Sequence, residues 1–443
     1  MENKKTACAD DRFSNLFDDK GRMKILDGMR YYKKTCKQNN MVCSKIVLKE
    51  PVDPECLQYA AQVAMGRLRV FRLSVTGDKQ FLYLTENMQT PVIHFDDGCL
   101  RTVCTPENHG HMTRIGYHGD TITIDFFHGV SDGMGIIAFQ KTLLYYYVEK
   151  KYGKPNHLPK NVILKDTLED PREYADSLEF VKDEEIIVPD GTYEYDRAFK
   201  LPDEQIESEH MCLQYELLVS AGEFDEYMQK HGSSRSAVFT MFMNRVIAEQ
   251  NKRKTEPVVA ALAVNAREAY GAKETLRCCV ATIPVWYDEK IRSLSWSQQL
   301  RAGRDMIMEG IRKERILGGA QKLQKFNKVL EEQFPTLEEK RVYAAKVNKQ
   351  SGTKYTYGFS YLGEVDYGKD INRHIRDSYL ILSANTIPVI LEIAKWDRHY
   401  HISYCTHLKN DPYVGRLRDL FAQEGIPCVC NRKEDFEEAY ADF

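Results

Sequence analysis

The distribution of apolar and polar positions along the chain predicts alternating strands and helices. Residues 44–50 (SKIVLKE) are rich in β-branched side chains and predict a strand. Pro51 to Pro54 then opens a helix to about residue 67, with Leu57, Ala60, Ala61, Val63 and Ala64 recurring at near-helical spacing. Residues 69–75 and 80–83 predict short strands around Gly77 and Asp78. The clearest hairpin runs over 113–118 and 121–127 through a Gly119-Asp120 turn, with Ile122, Ile124 and Phe126 on one face. A glycine-bearing loop follows His128. A helix over 134–150 carries Ile137, Phe139, Leu143, Leu144 and Tyr147.

Residues 165–200 are acidic, interrupted by proline and without sustained periodicity, so they predict a crossover between two halves. Strands are then expected at 212–219 and 257–264, with a helix over 234–251 between them. A long helical tract over 296–332 is expected to break at Gly318-Gly319. Strands follow near 354–361, 377–384, 388–395 and 400–407, then a final helix over 412–424. Strands and helices come in a similar order in both halves. That order predicts an α/β chain of two α+β two-layer sandwich lobes, at 1–180 and 201–443, joined by a linker at 181–200.

Composition narrows the class. The 443 residues suit two or three compact units and bury a sizeable core without staples. Hydrophobic content of 43% and charged content of 29% exclude a largely disordered chain. A formal net charge of −3, from 62 Lys and Arg against 65 Asp and Glu, excludes general attraction to nucleic acid. The 12 cysteines lack paired C-x-x-C units and read as reduced packing residues. With no apolar leader and no long apolar run, a cytoplasmic location is expected.

The strongest local signal is the run from Phe127 to Gly135, FHGVSDGMG. Here a histidine leaves a hydrophobic strand, and an aspartate follows four residues later just before a helix. Histidine suits general-base work near neutral pH. The spacing alone is weak, because His407 and Asp411 repeat it. A plain turn with Ser131 or Asp132 capping the helix explains the residues equally well.

The stretch DFFHGVSDGMG resembles the H-x-x-x-D-G signature of the CoA-dependent acyltransferase superfamily, which includes chloramphenicol acetyltransferases and nonribosomal condensation domains. It is most similar to the bacterial alcohol acetyltransferase-like group. Residues 45–75, the VNAR run at 264–267 with TLR at 275–277, the SYLG run at 360–363 and residues 400–427 also resemble family segments. The resemblance implies two chloramphenicol acetyltransferase-like lobes flanking an active-site tunnel. It implies His128 as general base, Asp132 turned away to pair with Arg267, and Gly133 keeping the tunnel open. Ser360 is implied as a possible oxyanion donor. The implied reaction moves an acyl group from a CoA or carrier-protein thioester to a hydroxyl or amine of a small acceptor, in a monomer with no bound cofactor. Free-standing condensation and non-catalytic docking of an acyl carrier protein are the alternatives. Phe127 stands where condensation domains carry a second histidine, while Tyr361 and Cys278 replace asparagines of the family pattern.

Two other clusters invite a metal reading. Cys99, Cys104, His109 and His111 fit no common finger spacing and read as solvent-exposed loop residues. His399, His401, Ser403, Cys405 and His407 share one strand face, expected to be wetted by solvent or tunnel. No metal is expected at either. The run Asn251-Lys252-Arg253-Lys254 reads as a solvated helix end.

Overall fold

The computed structural model describes residues 16–32, 40–182, 197–201, 211–252, 255–384, 387–432 and 436–437. Most of the linker expected at 181–200 lies outside these. The described end of that stretch is tied to the second half, where Phe199 N–H donates to the Pro257 carbonyl at 2.9 Å.

Two sheets organise the chain. The smaller runs Ile375–Leu382, Met41–Leu48, Thr121–Phe127, Thr113–His118, Ile93–Phe95, antiparallel except for its last pair. Helices Pro54–Arg67 and Gly133–Tyr152 share its core, where the Phe71 and Phe139 rings sit 4.3 Å apart. Asp53 caps the first of these helices through the Cys56 N–H, and proline occupies the first helical position, where its missing N–H costs nothing.

The larger sheet runs Val280–Tyr287, Val258–Asn265, Tyr357–Glu364, Val389–Trp396, His399–Thr406, Met211–Ser220, Cys428–Arg432. Tyr357–Glu364 is parallel to both of its neighbours. Helices Arg235–Gln250, Trp296–Gly310 and Tyr413–Gln423 contribute to its core. A third, three-stranded sheet joins Arg22–Lys24, Leu82–Glu86 and Leu73–Gly77. Both main sheets thus carry helices on an apolar face, the expected α+β two-layer arrangement.

The pairing does not divide the chain at a single point. Strand Ile375–Leu382, from the second half, is hydrogen-bonded to Met41–Leu48 of the smaller sheet. The same strand packs against Val389–Trp396 and His399–Thr406 of the larger one. It therefore belongs to one sheet by hydrogen bonding and to the seam between sheets by packing.

Several local expectations change. Arg69–Arg72 is a 3-10 turn, so the strand begins at Leu73. The long helical tract breaks at Ile311 and Arg312, not at Gly318-Gly319, which lie inside helix Lys313–Gln333. Glycine lowers helix stability by only about 1 kcal/mol, and burial of Gly318 in a packed turn offsets that. Helix Leu337–Gly352 was not expected. Its weak apolar periodicity buries only Lys340 and Ala344, yet the Thr336/Glu339 capping box marks its start. Beyond His399, the polar face of His399–Thr406 is dry: His401, Ser403 and Cys405 are each at most 1% exposed, because Ile375–Leu382 covers them. His111, expected in solvent, is buried with Nε2 3.1 Å from the Gln89 carbonyl.

A fragment ending at residue 200 leaves the Met41–Leu48 edge without its partner strand. It is expected to show no cooperative thermal transition by circular dichroism, where the full chain shows one. A cooperative melt of the fragment would refute this dependence.

Candidate active site

The site forms where the smaller sheet hands the chain to a helix. Strand Thr121–Phe127 ends beside Met41, and the His128 N–H donates to the Asn40 carbonyl at 2.8 Å. A tight turn closes from Val130 N–H to the Phe127 carbonyl at 2.8 Å. Asp132 then caps helix Gly133–Tyr152, its Oδ1 accepting from the N–H groups of Met134 and Gly135 at 3.0 and 3.1 Å.

The same carboxylate is held from the other half of the chain. Arg267, just after strand Val258–Asn265, donates through Nη1 to Oδ2 at 2.8 Å and through Nη2 to Oδ1 at 2.9 Å. The Cys279 N–H adds a fifth bond, to Oδ2, at 2.8 Å. Arg267 spends its remaining donors on the carbonyls of Thr275 and Arg277 at 3.0 and 2.9 Å and on Asn265 Oδ1 at 3.3 Å. Burial alone would raise the Asp132 carboxyl, but the Arg267 guanidinium and these hydrogen bonds outweigh it and hold the group below the usual carboxylate range. Asp132 is therefore an anion with saturated acceptors, unsuited to exchanging protons.

Two further contacts lock this seam. The Ser131 hydroxyl donates to the Leu276 carbonyl at 2.7 Å. Gly135 lies so close to that carbonyl that a Cβ would stand 2.1 Å from its oxygen. At Gly133 a Cβ would stand 2.2 Å from Leu362 Cδ1. This glycine thus permits a close packing contact with the end of the Leu362 side chain.

His128 does not touch Asp132. Its Nδ1 lies 3.0 Å from the Ser131 carbonyl and 3.7 Å from Cys278 Sγ. A carbonyl can only accept, so Nδ1 carries the proton and Nε2 keeps a free lone pair. Burial pushes the imidazole down to about 4, and the nearby Arg30 guanidinium adds to the effect. At neutral pH the ring is uncharged. Burial likewise raises the Cys278 thiol, so it is no thiolate nucleophile.

Arg30 was not singled out in the sequence. It pairs with Asp27 at 2.5 Å, and its neighbourhood with Cys278 and His128 bridges chain separations that no local motif reveals. Asp27, Arg30, Ser177, Tyr270 and Cys278 border a cavity of about 180 Å³.

Ser360 lies apart from His128 and Asp132 in hydrogen bonding, its hydroxyl 3.1 Å from Glu392 Oε1. Burial pushes the Glu392 carboxyl up to about 8, with the Ser360 bond acting against it. The second H-x-x-x-D copy resolves differently. Asp411 accepts from the N–H groups of Tyr413 and Val414 at the start of a helix, and His407 Nε2 lies 3.2 Å from the Ala384 carbonyl. That copy is a cap. Asn251 caps its helix, while Arg253 and Lys254 lie outside the described residues.

Removing one member of the Asp132–Arg267 pair leaves a buried, unpaired charge. Asp132→Ala and Arg267→Ala are each expected to lower unfolding free energy by about 3–5 kcal/mol in urea titrations, with the double variant well short of the sum. Additive losses would refute the coupling.

No protein-family model and no curated protein sequence matches the chain. Solved structures do match it. TRI3, a trichothecene 15-O-acetyltransferase from Fusarium sporotrichioides, aligns with a TM-score of 0.57 at 10% identity, over 91% of this chain and 93% of its own. TRI101 from F. sporotrichioides, complexed with coenzyme A and T-2, aligns at 0.56 and 11% identity, over 91% and 97%. The starter condensation domain of rhizomide synthetase RzmA, in complex with C8-CoA, aligns at 0.58 and 10% identity, over 89% and 90%. The described two-sheet architecture is therefore the fold shared by these acetyltransferases and condensation domains.

Proposed function

We propose that the protein is an acyltransferase that moves an acyl group from a CoA thioester to a hydroxyl or amine of a small acceptor. The observation that carries this reading is the anchored, uncharged His128, whose Nδ1–H is held by Ser131 while Nε2 keeps its lone pair. Nε2 takes the acceptor's proton as its oxygen or nitrogen bonds to the thioester carbonyl carbon. The tetrahedral oxyanion then collapses, the C–S bond breaks, and the departing CoA sulfur receives the proton from His128. The donor assignment draws on the CoA and C8-CoA complexes of the fold neighbours.

Asp132 and Arg267 act as positioning residues. They hold the His128 loop and the 275–279 segment in one arrangement, and so fix the Ser131 carbonyl that orients the imidazole. Gly133 serves the same seam by admitting Leu362. Ser360 is our candidate oxyanion donor. It sits two residues before Leu362, the neighbour of Gly133. Its hydroxyl donates to Glu392 Oε1 at 3.1 Å, so it would have to turn from that carboxyl to reach the oxyanion.

The cavity beside Cys278, with Asp27, Arg30, Ser177 and Tyr270, suits an acceptor bearing a hydroxyl or amine. Asp132 and Arg267 pair within one chain, so this part of the site needs no second copy. The ten described cysteines are free thiols, in keeping with a reducing, cytoplasmic setting. Among the described residues no helix is long and apolar enough to cross a membrane.

Thiol release from a panel of acyl-CoAs, with pooled alcohols and amines as acceptors, tests the reading. His128→Ala is expected to lose about 10²–10⁴-fold in rate while its circular dichroism spectrum is unchanged. Full activity in that variant would sink the proposal. Only the neutral ring is a base, so activity is lost as pH falls through the imidazole's pKa. The kcat/KM profile should stay flat from neutrality down to about pH 5 and drop toward about 4. An acid limb near the ordinary histidine value of about 6.5 would contradict the described environment.

A further inference from the structure

His399 and His401 stand two apart on strand His399–Thr406, so their side chains leave the same face. Strand Ile375–Leu382 packs over that face from the smaller sheet. It delivers Asp377, whose Oδ2 lies 2.9 Å from His401 Nδ1 and whose Oδ1 lies 3.4 Å from His399 Nε2. The three residues offer ligand atoms within 4.8 Å of one another, the one such group among the described residues. No metal was expected from the sequence, where Asp377 is remote from the histidine pair.

We propose that Asp377, His399 and His401 bind Zn²⁺ and that the ion fastens the smaller sheet to the larger. Zinc takes bonds of about 2.0–2.2 Å, which places tetrahedral ligand atoms about 3.3 Å apart. The observed 2.9 and 3.4 Å, measured to the two oxygens of the one carboxylate, are of that order.

The surroundings of His401 match what a metal-bound imidazole requires. Its far nitrogen, Nε2, faces Glu216 Oε1 at 3.3 Å. Among the described residues Nε2 makes no hydrogen bond. A proton placed there on metal binding would face that carboxylate and leave the Nδ1 lone pair for the ion, the carboxylate–histidine–metal relation that fixes ligand tautomers. The Tyr379 ring stacks on the imidazole at 3.8 Å and 16° and fixes its plane. The Ser378 N–H donates to Asp377 Oδ1 at 2.8 Å and steadies the carboxylate.

The ligand set also selects the metal. Two imidazoles and one carboxylate favour Zn²⁺ over Mg²⁺ or Ca²⁺, which prefer oxygen ligands. His401 is fully buried, whereas the His399 side chain is 26% exposed, which gives an entry side for the ion. Asp377 comes from the smaller sheet and both histidines from the larger, so ligation closes the seam between them. This site is separate from His128 and does not rest on the proposed reaction.

The experiment uses the full chain, free of any affinity tag and stripped with a chelator. Zn²⁺ titration by calorimetry is expected to give one equivalent bound at micromolar or tighter affinity, with a rise in Tm. Co²⁺ in its place should give the visible absorption of a four-coordinate site. Asp377→Asn and His399→Gln, both at partly exposed positions, should abolish binding with unchanged circular dichroism. Glu216→Gln should weaken it about 10–100-fold through the His401 tautomer. Absence of binding at micromolar Zn²⁺, or undiminished binding in Asp377→Asn and His399→Gln, overturns the proposal and leaves Asp377 a hydrogen-bond acceptor for two imidazoles.

Discussion

The buried pair of Asp132 and Arg267 is the constraint on which the rest of the site depends. The carboxylate accepts five hydrogen bonds, three from Arg267 and Cys279 in the second half of the chain and two from its own helix. Taking both charges out of water is costly, and only a fully satisfied geometry offsets that cost. The arrangement tolerates little displacement of one half against the other. Gly135 against the Leu276 carbonyl sets the same limit sterically.

This division of labour keeps the aspartate out of the chemistry. In a triad, a carboxylate orients the base directly. Here a backbone carbonyl, that of Ser131, holds the imidazole, and the carboxylate holds the loop carrying that carbonyl. The base is then tuned by its surroundings. Burial and the Arg30 charge disfavour the imidazolium and outweigh the Asp132 charge and the Ser131 carbonyl, which favour it.

Local pattern was legible in the sequence wherever one periodicity ruled a segment. The hairpin of Thr113–His118 and Thr121–Phe127 is marked by alternation and a Gly-Asp turn, and its bounds coincide with the expectation. The tract after Trp296 was harder. Glycine is a weak helix breaker, and helix Leu337–Gly352 buries too few residues to print a stripe. From the residues alone the site was legible only from His128 to Gly135, and the pairing of Asp132 with Arg267 was expected from the family resemblance. The Ser131–Leu276 and Asp132–Cys279 contacts join positions about 145 residues apart, which no local signal encodes. The dry polar face of His399–Thr406 was misread for the same reason, since alternation identifies a strand's two faces but not what lies across from each.

The pairing of Ile375–Leu382 with Met41–Leu48 also sets a timetable. The rest of the smaller sheet is synthesised early, but its edge strand emerges more than two hundred residues after the end of helix Gly133–Tyr152. At about 5–20 residues per second, that is a wait of roughly 10–45 s on the ribosome. Throughout it, the apolar edge at Ile46 to Leu48 is an unpaired template for any passing strand. Chaperone occupancy during synthesis should therefore matter more for this chain than its ordinary composition suggests.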